Sequence, residues 1–132
     1  MKTVAVSQRV DFSEDRQEVF DALDHRVTRF LMACGFVSVP VPNIGKAESE
    51  NGLTTEHVNC FLERVKPFAF FLSGGNDIGQ CRERDETEFA MIDYAELKRL
   101  PLLGICRGMQ IMAYKAGVNP TPKVGHVGTR HK

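Results

Sequence analysis

Apolar residues fall into short runs whose spacing alternates between strand-like and helix-like patterns along the chain. Residues 3–7 and 36–41 predict two strands, and residues 102–105 predict a further short one. The run Phe68-Ala69-Phe70-Phe71-Leu72 is apolar at every position. Such a run is typical of a strand covered on both faces, as in parallel sheets.

Helical spacing of apolar residues predicts a helix after each strand. The first helix is expected to start at Asp11, an N-cap that Glu14 completes as a capping box, and to run to Cys34 before Gly35. Further helices are expected over residues 54–65, 85–100 and 108–116, with loops over 43–53 and 73–82. Alternating strands and helices imply crossover connections, so the predicted fold class is α/β with a doubly wound, mainly parallel sheet.

Composition excludes several classes of partner. The 132 residues, expected to form no more than one domain, balance 17 Lys and Arg against 17 Asp and Glu. This balance lacks the basic excess of nucleic-acid binders, and no apolar run approaches the ~20 residues that span a membrane. The cysteines at 34, 60, 81 and 106 are too far apart for a zinc or redox pair. Without an export signal they indicate a reduced, cytoplasmic protein whose thiols are mostly core residues.

The segment with the strongest chemical signal is Gly104-Ile105-Cys106-Arg107-Gly108, between a predicted strand and a predicted helix. This pattern is that of a nucleophile elbow with cysteine in place of serine. The positive end of the helix dipole would stabilise a thiolate, and the Arg107 N–H could donate to an oxyanion on an attacked carbonyl. Alternatively, Cys106 is a small core residue and the glycines only permit a tight turn. The buried strand before them favours the elbow.

A second glycine segment, Ser73-Gly74-Gly75-Asn76-Asp77-Ile78-Gly79, also follows a buried strand. In a parallel sheet both loops leave the carboxyl edge, where α/β ligand sites form. Gly75 could therefore supply a second N–H to the oxyanion. The glycines could instead shape a turn or cradle a phosphate, although their spacing matches neither common phosphate loop. Asp77 could be a ligand or an ordinary turn residue.

The strings LSGGNDIG and LLGICRGMQIM resemble the oxyanion-loop and nucleophile motifs of class I glutamine amidotransferases. Arginine after the cysteine, and the segment RDETE at residues 84–88, resemble the γ-glutamyl hydrolase branch, which is peptidase C26-like. VAVSQRVDF and GHVGTRHK are similar to a smaller set in that branch, the γ-glutamyl-CDP-amidate hydrolases linked to polysaccharide capsules. The resemblance implies a flavodoxin-like domain that hydrolyses γ-glutamyl amides of small molecules through a cysteine thioester, with no metal or organic cofactor.

The resemblance also implies roles for individual residues. Cys106 matches the nucleophile of a Cys-His-Glu triad, and Gly75 and Arg107 match the backbone oxyanion hole. Gly74 and Gln110 are expected at the glutamyl part of the substrate, although Gln110 could also be an ordinary polar helix residue.

Two further charged residues, Arg84 and Asp85, fall where the branch has an Arg-Asp pair. They either contact substrate or cap the following helix.

The catalytic His and Glu are expected beyond Lys132, so the resemblance implies a domain incomplete at its C-terminus and a chain that turns over poorly alone. Of the histidines present, His25 (mid-helix) and His57 are expected at the surface or half-buried. His126 and His131 match the connection after the elbow helix rather than a His-x-Glu motif.

Two other functions stay open. The chain could be a glutaminase unit that delivers ammonia to a synthase partner, or a non-catalytic remnant that serves as a binding module.

Overall fold

The computed structural model describes residues 1–44 and 54–118. The elements in these ranges are β1 Lys2–Val6, β2 Arg9–Ser13, β3 Glu18–Ala22, α1 His25–Ala33, β4 Phe36–Pro40, α2 Thr54–Val65, β5 Ala69–Leu72, α3 Arg82–Lys98, β6 Leu102–Gly104 and α4 Arg107–Lys115. None of these helices combines the length and apolar character that crossing a bilayer requires.

The central sheet is parallel. Within the described ranges its strands lie in the order β4-β1-β5-β6, with Val4 of β1 opposite both Ser38 of β4 and Ala69 of β5. Helices α2 and α3 connect successive strands, as the alternating pattern predicts. The α/β fold class with a mainly parallel sheet is therefore confirmed.

Strand β5 shows why an unbroken apolar run belongs in the middle of such a sheet. Phe70 and Leu72 lie in the cluster that contains buried side chains of α2, α3 and α4, whereas Phe71 lies on the other face with Leu31 of α1. Side chains alternate between the two faces of a strand, and here both faces are covered. Burial of each of these phenylalanines is worth about 1.5–3 kcal/mol.

The helix predicted from Asp11 is wrong in its first half, where β2 and β3 form an antiparallel hairpin. Val10 and Phe12 alternate with charged residues, and Phe12 lies opposite Val19 across the hairpin. The helical spacing that predicted this helix joins Val19 of β3 to the apolar residues of α1, although they belong to different elements. The alternation itself is the strand pattern.

Helix α1 therefore begins at His25, and its N-cap is Asp24 rather than Asp11. The Asp24 carboxylate accepts a hydrogen bond of 2.8 Å from the N–H of Arg26. The other predicted elements are confirmed to within one or two residues, except that α3 starts at Arg82, three residues before the predicted start. The predicted loop over residues 43–53 lies outside the described residues after Ile44.

The expectation that the cysteines are mostly core residues is wrong. Cys34, Cys60 and Cys106 are exposed and Cys81 is partly buried, and all are free thiols. Three of them cap helices, at the C-terminus of α1 and the N-termini of α3 and α4. Helix ends lie at the surface, so these positions do not enter the core.

Candidate active site

Cys106 forms a sharp turn between β6 and α4. Its backbone is left-handed at φ 48° and ψ −116°, a conformation that costs energy for any residue with a side chain. Hydrogen bonds fix the turn on both sides: Ile105 N–H donates to Leu72 O at 3.1 Å, and Gln110 N–H donates to Cys106 O at 3.1 Å. The turn leaves Cys106 exposed at the carboxyl edge of the sheet.

Glycines on both sides of Cys106 allow α4 to approach the sheet closely. A Cβ at Gly108 would lie 2.1 Å from the carbonyl oxygen of Leu72, and a Cβ at Gly104 would lie 2.6 Å from the carbonyl carbon of Gly108. Atoms cannot approach so closely without displacing the backbone. The elbow therefore requires glycine at both positions.

The glycine loop after β5 lies beside the elbow. A Cβ at Gly74 would lie 3.6 Å from the Cβ of Cys106, in ordinary contact, and Gly75 has a left-handed φ of +91°. The loop is fastened to the end of β1, because Ser73 N–H donates to Ser7 Oγ at 2.9 Å and Ser73 Oγ donates to Ser7 O at 2.6 Å. The N–H groups of Gly75 and Arg107 donate no hydrogen bond within residues 1–44 and 54–118.

Arg84 binds the backbone carbonyls of the glycine loop, a contact that the sequence did not predict. Its guanidinium is fully buried and donates to the carbonyls of Ser73 at 2.8 Å, Gly74 at 3.1 Å and Gly75. In a trans peptide the N–H points away from the C=O. Because Arg84 binds the Gly74 carbonyl, the N–H of Gly75 in the same peptide must point away from Arg84.

Buried ion pairs continue from Arg84 to the elbow helix. Glu88 accepts from Arg84 Nε at 2.8 Å, and Asp85 accepts from Arg107 Nη2 at 2.6 Å. Burial lowers the pKa of the Arg84 guanidinium from its ordinary value, and the neighbouring Glu88 carboxylate opposes that shift. The guanidinium stays protonated at neutral pH. The network therefore links the glycine loop, α3 and the start of α4.

The alternative in which Arg84 and Asp85 cap the following helix is wrong. Both lie inside the first turn of α3, whose N-cap is Cys81, because the helix starts earlier than predicted. Asp85 instead accepts from Gly79 N–H at 2.9 Å, in addition to its bond from Arg107. Arg84 thus binds the glycine loop, and Asp85 binds Arg107 of the elbow helix. Both contacts depend on the tertiary fold.

The remaining sequence candidates within the described ranges lie at the surface. Gln110 is exposed one helical turn after Cys106. His25, expected mid-helix, is the exposed first residue of α1, and His57 is exposed in α2. His126 and His131 lie outside the described residues.

Asp77 forms a turn, in which Gln80 N–H donates to its carbonyl at 3.0 Å. Within the described ranges no group of three or more His, Cys, Asp or Glu could hold a metal ion.

A cleft of about 230 Å³ opens between the glycine loop, the hairpin and the start of α1. Its polar side is formed by Arg9, Asp24 and the loop residues 73–75, and Ile105 closes it next to the elbow. A second cleft of about 390 Å³, mostly apolar, continues from it along α1 and β6. The first cleft therefore places charged side chains beside the glycine loop, which contacts Cys106.

Comparison with known proteins finds a family match over the part of the chain that contains the elbow. Residues 55–131 match the family model described as Peptidase C26. A γ-glutamyl-CDP-amidate hydrolase of Campylobacter jejuni subsp. jejuni is 36% identical over 66 residues, which is 46% of this chain and 33% of that protein. A protein of Schizosaccharomyces pombe that is named as a glutamine amidotransferase is 45% identical over 47 residues, which is 36% of this chain and 19% of that protein. The matches thus span a third or less of the length of these curated relatives.

Proposed function

The chain belongs to the Peptidase C26 family, and from that membership we propose that the protein hydrolyses γ-glutamyl amide bonds with Cys106 as the nucleophile. The observation that carries the proposal is the elbow itself. An exposed thiol sits on a left-handed turn at the start of a helix, in contact with a glycine loop. Strain of this kind clusters at functional sites.

The proposed reaction proceeds in two steps. The thiolate of Cys106 attacks the γ-carbonyl carbon, and the carbonyl oxygen takes the negative charge. The C–N bond then breaks, and the amine leaves with a proton from a general acid. Water, activated by the same group acting as a base, attacks the thioester, which releases glutamate and restores the thiol.

We propose that the N–H groups of Gly75 and Arg107 form the oxyanion hole. Both groups lack a partner within the described residues, as donors reserved for a substrate oxygen would. Loss of one such donor typically costs about 2.7–4 kcal/mol of transition-state stabilisation. Arg84 supports this role, because its hydrogen bond to the Gly74 carbonyl fixes the direction of the Gly75 N–H before substrate binds.

The general acid and base is proposed to be an imidazole, the group that the family resemblance implies. The histidines within the described ranges, His25 and His57, are both exposed, and neither donates to or accepts from the thiol of Cys106. The proposal therefore assigns this role to a residue outside those ranges.

For the substrate, we propose a γ-glutamyl amidate whose amine half carries phosphate. Support comes from the Campylobacter relative, whose name states γ-glutamyl-CDP-amidate hydrolysis, and from the resemblance to proteins linked to capsule biosynthesis. Gly74 and Gln110 are proposed to contact the glutamyl half. A cytoplasmic location is proposed because the thiol must stay reduced.

Selective labelling of Cys106 tests the proposal. We expect 6-diazo-5-oxo-norleucine, an electrophilic glutamine analogue, to modify Cys106 at least about tenfold faster than Cys34 and Cys60, which are also exposed. Such a rate ratio corresponds to about 1.4 kcal/mol in activation free energy. Iodoacetamide, which carries no glutamyl group, should modify all three. Burial raises the pKa of the Cys81 thiol, so Cys81 should react slowest with it. Mass spectrometry of the peptides gives both rates.

Cys106→Ala should abolish modification by the glutamine analogue and leave iodoacetamide modification of Cys34 and Cys60 unchanged. Labelling of the three exposed cysteines in the same ratio by both reagents would refute the proposal. It would favour the non-catalytic binding module instead.

A second candidate function is a glutaminase unit that delivers ammonia to a synthase partner. The name of the Schizosaccharomyces relative favours it. The two functions differ in one measurement: a glutaminase unit should release ammonia from glutamine only with its partner present, whereas the proposed hydrolase should act on a γ-glutamyl amide without one.

A further inference from the structure

Arg9 packs against the glycine loop at Gly75, the residue after the glycine that contacts Cys106. It follows β1 at the carboxyl edge of the sheet and opens the hairpin. A Cβ at Gly75 would lie 3.0 Å from Arg9 Cβ and 3.1 Å from Arg9 Cδ, and a Cβ at Gly74 would lie 3.6 Å from Cys106 Cβ. The arginine and the thiol therefore flank two consecutive glycines. A substrate that lies across both glycines would therefore meet both side chains.

The Arg9 guanidinium has donors to spare. Among the described residues only its Nε is engaged, at 3.2–3.3 Å from the carboxylate of Asp11, and both side chains are about half exposed. Such a surface pair is worth about 0–1 kcal/mol, so it competes weakly with a ligand. The two terminal nitrogens of Arg9 have no partner among the residues that the structure describes.

The other charged group of the cleft, Asp24, is already committed. Its carboxylate accepts bonds of 2.6–3.2 Å from the Arg26 side chain and 2.8 Å from the Arg26 N–H. These bonds hold the pKa of Asp24 at about 2. The charge of Arg9 adds only the smallest contribution to that shift, and no hydrogen bond joins its guanidinium to Asp24 among the described residues. The cleft therefore presents a cation beside the glycine loop, and that loop contacts Cys106.

We infer that Arg9 is a specificity residue that binds anionic oxygens of the substrate in this cleft. The planar fork of a guanidinium matches the paired oxygens of carboxylate and phosphate alike. In the proposed substrate those oxygens belong either to the α-carboxylate of the glutamyl half or to the phosphate of the amine half. The inference rests on the proposed function, and it adds the residue that selects for charge.

The test compares Arg9→Gln with Arg16→Gln. Glutamine keeps the Cβ and Cδ atoms that lie next to Gly75, so the loop keeps its packing. Arg16 is exposed in the hairpin turn, so its replacement makes the same change in net charge away from the cleft. Circular dichroism and urea unfolding verify that both variants fold, and Arg9→Lys, which keeps the charge without the fork, gives an independent second variant.

If Arg9 binds the α-carboxylate, Arg9→Gln slows labelling of Cys106 by 6-diazo-5-oxo-norleucine about 10- to 100-fold. The rate with iodoacetamide stays unchanged, Arg9→Lys gives an intermediate rate, and Arg16→Gln matches the unmodified protein. If Arg9 binds the phosphate, labelling by the glutamine analogue is unchanged. CDP then protects Cys106 from iodoacetamide in the unmodified protein and in Arg16→Gln, but not in Arg9→Gln.

The inference is overturned if Arg9→Gln behaves like the unmodified protein in both experiments. Selective labelling of Cys106 in that variant would still support the proposed function. Absence of selective labelling in the unmodified protein overturns the proposed function and, with it, this inference.

Discussion

Replacement of Gly108 by alanine is expected to destabilise the protein by about 3 kcal/mol or more, beyond the usual cost of overpacking. The added methyl would lie 2.1 Å from the carbonyl oxygen of Leu72. Its neighbours there are backbone and the Cβ of a core residue, so no flexible side chain can move aside. Either α4 separates from β5 or the elbow opens. Urea unfolding measures the loss of stability, and labelling of Cys106 should fall with it.

The control is Gly35→Ala, because Gly35 has a left-handed φ of +87° but no atom within 4 Å of the position that a Cβ would take. It should cost only about 1–2 kcal/mol, the penalty for that backbone conformation. Equal losses for the two variants would mean that the close approach of α4 to the sheet does not hold the elbow.

Replacement of Arg84 by methionine is expected to cost about 3–5 kcal/mol, because it leaves a buried carboxylate without its main partner. The carboxylate is that of Glu88, and the carbonyls of Ser73, Gly74 and Gly75 lose their donor as well. The released loop should also slow the selective labelling of Cys106. Urea unfolding and the labelling rate are the two measurements.

Two further variants separate charge burial from loop positioning. Arg84→Met with Glu88→Leu should recover part of the stability, because an apolar pair replaces an ion pair at little cost, but it should not recover the labelling rate. Arg82→Met, at an exposed position one residue into α3, should change stability by no more than about 0.5 kcal/mol. Full recovery of labelling in the double variant would show that Arg84 balances charge and does not position the loop.

The part of the fold that sequence predicts well is the part in which local pattern and tertiary burial agree. β5 is apolar throughout and is covered on both faces, and the elbow glycines stand where a strand must turn into a helix. The hairpin was not predicted, because apolar residues of β3 and of α1 together have helical spacing. The alternation of Val10 and Phe12 with charged residues is the local strand signal, but the pairing that makes a hairpin joins residues apart in sequence.

The network beneath the glycine loop could not be read directly from sequence, but one signal was present. Arg84 and Glu88 are spaced by four residues on the helix face that continues through Met91 and Ala95, which are apolar and buried. Two opposite charges within an apolar stripe indicate a buried pair. Their acceptors, the loop carbonyls, carry no sequence signature, because every residue has a carbonyl.

The most direct measurement is a crystal structure of the protein after reaction with the glutamine analogue. We expect a methylene group to join Cys106 Sγ to the ketone carbon of the analogue. The ketone oxygen should lie about 2.7–3.1 Å from the backbone nitrogens of both Gly75 and Arg107, as oxyanion-hole donors do. An adduct on Cys106 whose oxygen points into solvent, away from both N–H groups, would contradict the account.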